Sequence, residues 1–296
     1  MINTLNSLTE WQKIAKIWQI QLNLEYTKPE KNVRLSFKDI GAFTELTAIN
    51  YLNGYTGSGS GGMGFDLINY EKQKAIEVKS CCTIQNSVCN NCGTKFNSLF
   101  LDKCPKCNSN NFKEMSDSRF GISAIEFLDQ FEKGFFECFY LCYISLIEYN
   151  KETGKIDIQL EWFKIDFSND KLKDIQLEYF ITQKEKGKGH CNLLPYSFDF
   201  YKLAPTKISD IFVSFSIANL DDIPQIKETK NNKPLRICID KMHNQQERRL
   251  FEKLKTFDKQ TQTADIVDFT LNIPYAKKNL GKLRGDTRAK VYKALK

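Results

Sequence analysis

Asp66, Glu77 and Lys79 stand in two short apolar runs, Gly64-Phe65-Asp66-Leu67-Ile68 and Ala75-Ile76-Glu77-Val78-Lys79-Ser80. The polar stretch from Asn69 to Lys74 separates them, and the two runs read as a β-hairpin. Strand side chains alternate in direction, so Ala75, Glu77 and Lys79 share one face while Ile76, Val78 and Ser80 take the other. Asp66, read into the partner strand, comes close enough across the hairpin to meet Glu77. Two converging carboxylates make a hard-oxygen site suited to Mg²⁺. Such an ion can polarise a phosphoryl oxygen and help ionise a bound water. An adjacent lysine can orient that water or offset charge building on the phosphate. The same residues on an exposed hairpin would be ordinary surface charge. Their position inside otherwise apolar strands favours the site.

Asp66 followed by Glu77-Val78-Lys79 resembles the PD-(D/E)xK motif of many type II restriction endonucleases and DNA repair nucleases. Phe65 stands where that motif has its proline, which is its most variable member. The resemblance spans residues 36–82. It implies Asp66 and Glu77 as Mg²⁺ ligands, the Val78 carbonyl as a further oxygen ligand, and Lys79 as the group that positions the attacking water. It also implies double-stranded DNA as partner and products bearing a 5′-phosphate and a 3′-hydroxyl.

The elements around these residues must position them. Ser7-Leu8-Thr9-Glu10 reads as a capping box ahead of a helix with Trp11, Ile14, Ala15 and Trp18 on one face. A second helix is expected from Lys38 to Leu52, stopped by Gly54. Ala42, Leu46, Ile49 and Leu52 would form its apolar stripe, interrupted by Glu45. A carboxylate there is costly unless paired or metal-linked, or unless it reaches the edge of the stripe. The resemblance favours the first, because relatives often carry an acidic residue near the metal on the helix preceding the motif, and Glu45 matches that position. The glycine-rich run 54–64 is either a plain linker or a loop that lets backbone approach DNA closely.

Cys89-Asn90-Asn91-Cys92 and Cys104-Pro105-Lys106-Cys107 form two CxxC knuckles, the spacing of a tetrahedral thiolate Zn²⁺ site. Four cysteines close the coordination sphere, so the metal would be structural. Downstream, Ser116 to Phe120 is expected to open a helix that ends at Gly134, with Ser118 and Arg119 either touching phosphate or serving as a cap and a surface charge. Phe135–Ile147 and Lys155–Ile165 read as paired strands, and Asp210–Ile217 and Leu235–Ile239 as further ones. The loop Lys184 to His190 and the basic tail from Lys277 are either phosphate-contacting or solvated.

A 296-residue chain with net charge +7 is compatible with nucleic acid as partner. No apolar run is long enough to span a membrane, and Met1-Ile2-Asn3-Thr4 does not open a signal peptide. A cytoplasmic location is expected, and the 10 cysteines are read as thiols and metal ligands. The expected fold is α/β: a restriction-endonuclease-like core with a central mixed four- to five-stranded sheet flanked by helices. Residues 1–165 form the core, with 83–115 as a four-cysteine zinc-ribbon insertion, and 166–296 an α+β DNA-recognition region. The expected activity is Mg²⁺-dependent, sequence-specific cleavage of double-stranded DNA by a homodimer. One alternative is a repair or junction-resolving nuclease on the same core. Another is a zinc-ribbon regulator that binds DNA without cutting it.

Overall fold

The computed structural model describes residues 8–27, 40–57, 65–82, 86–115, 119–187, 190–242 and 244–252, with 258, 260, 261, 263 and 264. Helix α1 (Glu10–Thr27) starts on a capping box displaced from the expected one. The Thr9 hydroxyl accepts from the Gln12 amide N–H at 3.2 Å, and the Gln12 side chain accepts from the Thr9 N–H at 3.0 Å. Helix α2 (Ile40–Ala48) runs into a single 3₁₀ turn. It buries Thr44, Thr47 and Ala48 while Leu46 is exposed, so the expected stripe is rotated about the helix and Glu45 lies half-buried at its border. Gly54 is left-handed (φ 80°), and a side chain there would press on the Asn69 amide.

Strands β1 (Thr56–Gly57), β2 (Leu67–Asn69) and β3 (Lys74–Cys82) open the sheet. Next come β4 (Asn86–Cys89), β5 (Lys95–Phe96), β6 (Phe112–Met115), β7 (Phe120–Ser123), α3 (Ala124–Glu132), β8 (Phe136–Asn150) and β9 (Lys155–Asp166). Helix α4 (Asp170–Glu185), β10 (His190–Leu193), α5 (Phe198–Lys202), β11 (Thr206–Ser216) and β12 (Gln225–Pro234) follow. Strand β13 (Ile237–Cys238), α6 (Gln245–Phe251) and β14 (Thr263–Ala264) close the described chain.

The central sheet has seven strands in the order β1-β2-β3-β8-β9-β11-β12. Strands β3 and β8 are parallel and every other neighbouring pair is antiparallel. A parallel pair needs a long crossover, and here it carries the cysteine segment, β7 and α3. The expected four to five strands fall short because β11 and β12, 40 residues and more beyond β9, extend the same sheet. On β11, buried Ile211, Val213 and Phe215 alternate with the more exposed Asp210, Phe212 and Ser214, which fits a sheet face, but register with β9 is a long-range fact.

Each face of the sheet has its own core. On one, Ile76, Val78, Tyr140, Leu160 and Trp162 pack under α1 and α2. On the other, Phe139, Leu141 and Phe163 pack with Phe127 of α3, Phe180 of α4 and Phe200 of α5. The expected helix from Ser116 is different in the structure. Ser116–Ser118 lie outside the described residues, Arg119 precedes a strand, and Phe120 and Ile122 alternate inward to pair with Leu193 and Cys191. The helix starts only at Ala124, where the Ser123 hydroxyl accepts from the Glu126 N–H, and the chain turns at left-handed Gly134 as expected. Leu235–Ile239 shrinks to the two-residue β13, paired with β14. Residues 58–64 of the glycine-rich run and the tail beyond 264 lie outside the described residues.

Candidate active site and metal centre

Strand β2 pairs with only the first three residues of β3, so the outer edge of β3 opens at Glu77. Asp66 lies in the bend before β2 rather than in the strand, and it folds over that open edge. Its Oδ2 accepts from the Val78 N–H at 2.8 Å. A strand residue directs its N–H and C=O to the same edge, so the Val78 carbonyl faces Asp66 as well. Lys79 binds both acids: its Nζ is 3.4 Å from Asp66 Oδ2 and in closer contact with Glu77 Oε1. The structure therefore brings Asp66, Glu77, Val78 and Lys79 together.

Glu77 Oε2 is buried and has no hydrogen-bond partner. Burial pushes the Glu77 carboxyl up to about 7 against the pull of Lys79, and Asp66 and Glu126 add to the rise. Burial also works against the Lys79 ammonium, but Glu77 and Asp66 outweigh it and hold its pKa above the ordinary value. Lys79 is thus a cation. Glu45 joins from α2: burial raises its carboxyl, the Asp66 charge raises it further, and Lys79 opposes both. Three acids face one lysine, with a dry carboxylate oxygen left over and a backbone carbonyl beside it. This all-oxygen donor set, short of positive charge, fits Mg²⁺. Glu126, in the first turn of α3, was not singled out by any sequence pattern; it reaches the site only through the packing of β7 on β3.

The four cysteines converge on a second centre. Their Sγ atoms lie within 4.8 Å of one another, with Cys89–Cys107 and Cys92–Cys104 at 3.5 Å. Thiolates about 2.3 Å from a tetrahedral zinc stand roughly 3.8 Å apart, so the set can hold a metal such as zinc. The two knuckles repeat one geometry. The Gly93 N–H donates to the Cys89 carbonyl and the Asn108 N–H to the Cys104 carbonyl, each at 2.9 Å, and both turn residues are left-handed. Strands β4, β5 and β6 form a small sheet behind them, around Phe96 and Phe112. The segment is tied to the main body by Asn97 donating to Glu25 at 2.8 Å and by Phe100 packed between Tyr26 and Tyr149.

A third polar cluster also escaped the sequence patterns. Glu161 on β9 is 2% exposed, and its Oε1 accepts from Lys241 at 2.6 Å, Lys207 at 2.7 Å and Tyr196 at 2.5 Å. These residues are 35 to 80 positions apart in the chain. Among the described residues, no helix is long and apolar enough to cross a membrane.

Neither a curated protein nor a solved structure matches the chain significantly. The family model described as MamI restriction endonuclease matches residues 44–238. That span begins next to Glu45, contains the acidic edge of β3 and the four cysteines, and ends after β12, so it takes in all seven strands of the central sheet. With roughly two thirds of its residues matched, the chain belongs to the MamI restriction endonuclease family.

Proposed function

We propose that the chain is a type II restriction endonuclease of PD-(D/E)xK type, hydrolysing phosphodiester bonds in double-stranded DNA at a specific sequence with Mg²⁺. The observation that carries this reading is the convergence of Asp66, Glu77 and Lys79 on an open strand edge, with Glu77 Oε2 unpartnered. Asp66, Glu77 and the Val78 carbonyl would hold the ion, with Glu45 beside it. When bound, Mg²⁺ supplies charge stabilisation to a phosphoryl oxygen and lowers the pKa of a water. Lys79, protonated and pinned between two acids, orients that water and offsets charge on the phosphate. The Val78 N–H holds one Asp66 oxygen toward the site. Zn²⁺ on Cys89, Cys92, Cys104 and Cys107 would be structural.

Residues 1–165 would supply the catalytic core and the segment from 166 onward most of the sequence recognition, both built on one sheet. A second copy of the chain would bring a second site for the other strand. The test is a digest of intact duplex with Mg²⁺ and with chelator. Defined ends at one sequence, with 5′-phosphates and dependence on Mg²⁺, are expected. Cutting only at branches or nicks would move the chain to the repair class, and binding without cutting would remove the nuclease reading.

A further inference from the structure

The register of the central sheet carries the face of Glu77 and Lys79 well past the catalytic edge. Lys79 lies level with Leu141 on β8, which lies level with Phe163 on β9. Four residues further along, Gln159 sits opposite Ser145 on β8 and Phe212 on β11. Near Phe139 and Phe163 this face is buried under α3, α4 and α5. Beyond Glu161 the strands outrun those helices. Ser145, Gln159 and Asp210 are half-buried there, and Phe212 is 38% exposed. A recess of about 220 Å³ opens at this point, lined by Tyr143, Ser145, Gln159, Tyr196, Asp240 and Lys241 over Glu161.

We propose that this recess and the open sheet face beside it read base edges of the DNA duplex, with Gln159 as a specificity-determining residue. The inference rests on the nuclease reading for the identity of the occupant. Three observations carry it. The first is distance. Two strand steps of about 4.8 Å and four residues of about 3.4 Å place Gln159 roughly 16 Å from Lys79. At 3.4 Å per base pair that is about five base pairs from the cut phosphate, the reach of a short recognition site.

The second is chemistry. Asp210 Oδ1 accepts from the Gln159 amide at 2.8 Å and Asp210 Oδ2 from Asn231 at 3.1 Å. The Gln159 amide is therefore held in one orientation, with its Oε1 and second N–H left for a base, the pair with which glutamine recognises adenine in the major groove. The third is charge. Two of the acids at the recess are matched, Glu161 by Lys207 and Lys241 and Asp210 by Lys207, while Asp240 stands exposed at its rim. On the edge strand, Lys227, Lys230 and Lys233 are exposed, while its one acid, Glu228, accepts from the Tyr51 hydroxyl. Lysines along an edge suit phosphates at the rim of a duplex, whereas a second copy carrying the same lysines would be repelled.

The experiment selects randomised duplexes twice with the parent and with Gln159→Ala and Lys227→Ala: by binding in Ca²⁺, and by cutting in Mg²⁺. Gln159→Ala is expected to relax one base-pair position and lose about tenfold or more in affinity for the parental sequence, with unchanged thermal unfolding. Lys227→Ala is expected to weaken all sequences alike and reduce the salt slope by about 1. A folded Gln159→Ala protein with the parental preference overturns the inference. So does a change in oligomeric state without a change in preference, which would make this face a contact between copies. A parent that selects a sequence by binding but never cuts it would refute the nuclease reading alone. A parent that selects no sequence in either round overturns the inference.

Discussion

Glu77 has one carboxylate oxygen on Lys79 and the other buried without a donor, an asymmetry that would leave the second oxygen free for a metal ion. Asp66 is different, since it also serves the backbone by accepting from the Val78 N–H. Truncating it to alanine would orphan that N–H at a cost of about 1–3 kcal/mol, so Asp66→Asn is the cleaner variant. Asp66→Asn and Glu77→Gln are each expected to lower cleavage by roughly 10²–10⁴-fold, because the metal contributes several kcal/mol of charge stabilisation. Duplex binding and the unfolding midpoint should stay near those of the parent. Glu45→Gln should shift the Mg²⁺ concentration needed for half-maximal cutting; a titration that overlays the parent would take Glu45 out of the site. The D…ExK spacing was legible because a strand's period of two fixes which residues share a face. The bend holding Asp66 and the approach of Glu126 were not, since both depend on where β2 stops and how α3 packs.

At the scale of elements, the cysteine segment is the clearest case of sequence reading through to structure. Two CxxC knuckles are local, and their turns need only Gly93 and Asn108 in left-handed conformations. Its small core of Cys89, Phe96 and Cys104 is slight, so coordination of a metal would supply much of its folding free energy. Purified protein is expected to carry one Zn²⁺ per chain by elemental analysis, and Cys104→Ser to lose it. Through Asn97, Phe100 and Tyr149 that loss should also lower the unfolding midpoint of the main body. Folded parent purified without zinc would contradict this. The stretch before α3 shows the opposite case. Phe120-Gly121-Ile122-Ser123 has strand periodicity over only four residues, and its partner β10 (His190–Leu193) lies far along the chain. Nothing local distinguished it from the first turn of the helix that follows.

Over the whole molecule, the seven-stranded sheet joins the acidic edge of β3 to strands that the sequence placed in a separate region. The individual strands β11 and β9 were legible from alternation, but their pairing was not, and neither was the cluster it assembles around Glu161. Burial pushes the Glu161 carboxyl up, yet Lys241 and Lys207 outweigh it and hold it below the ordinary value of 4.5. A carboxylate with a depressed pKa stabilises the fold above its unfolded value and loses that contribution as pH falls through the folded one. Parent stability should therefore drop as pH falls from about 5, and Glu161→Gln should flatten that drop. The variant should also be less stable at pH 7 by about 1–3 kcal/mol, since Lys207 keeps Asp210 as a partner and the Lys241 side chain reaches solvent. Urea unfolding at pH 7 and pH 4 measures both effects, and parallel behaviour of the two proteins would contradict the role given to the cluster.

On the proposed reading, the acidic edge of β3 cuts duplex DNA with Mg²⁺. End mapping of one plasmid digested by the parent and by Glu77→Gln, each with Mg²⁺ and with chelator, tests it most directly. Expected are a single set of sequence-defined ends from the parent with Mg²⁺, none with chelator, and at least about a hundredfold fewer from Glu77→Gln, although that protein is folded and binds the same DNA. The same ends at the same rate from folded Glu77→Gln would contradict it.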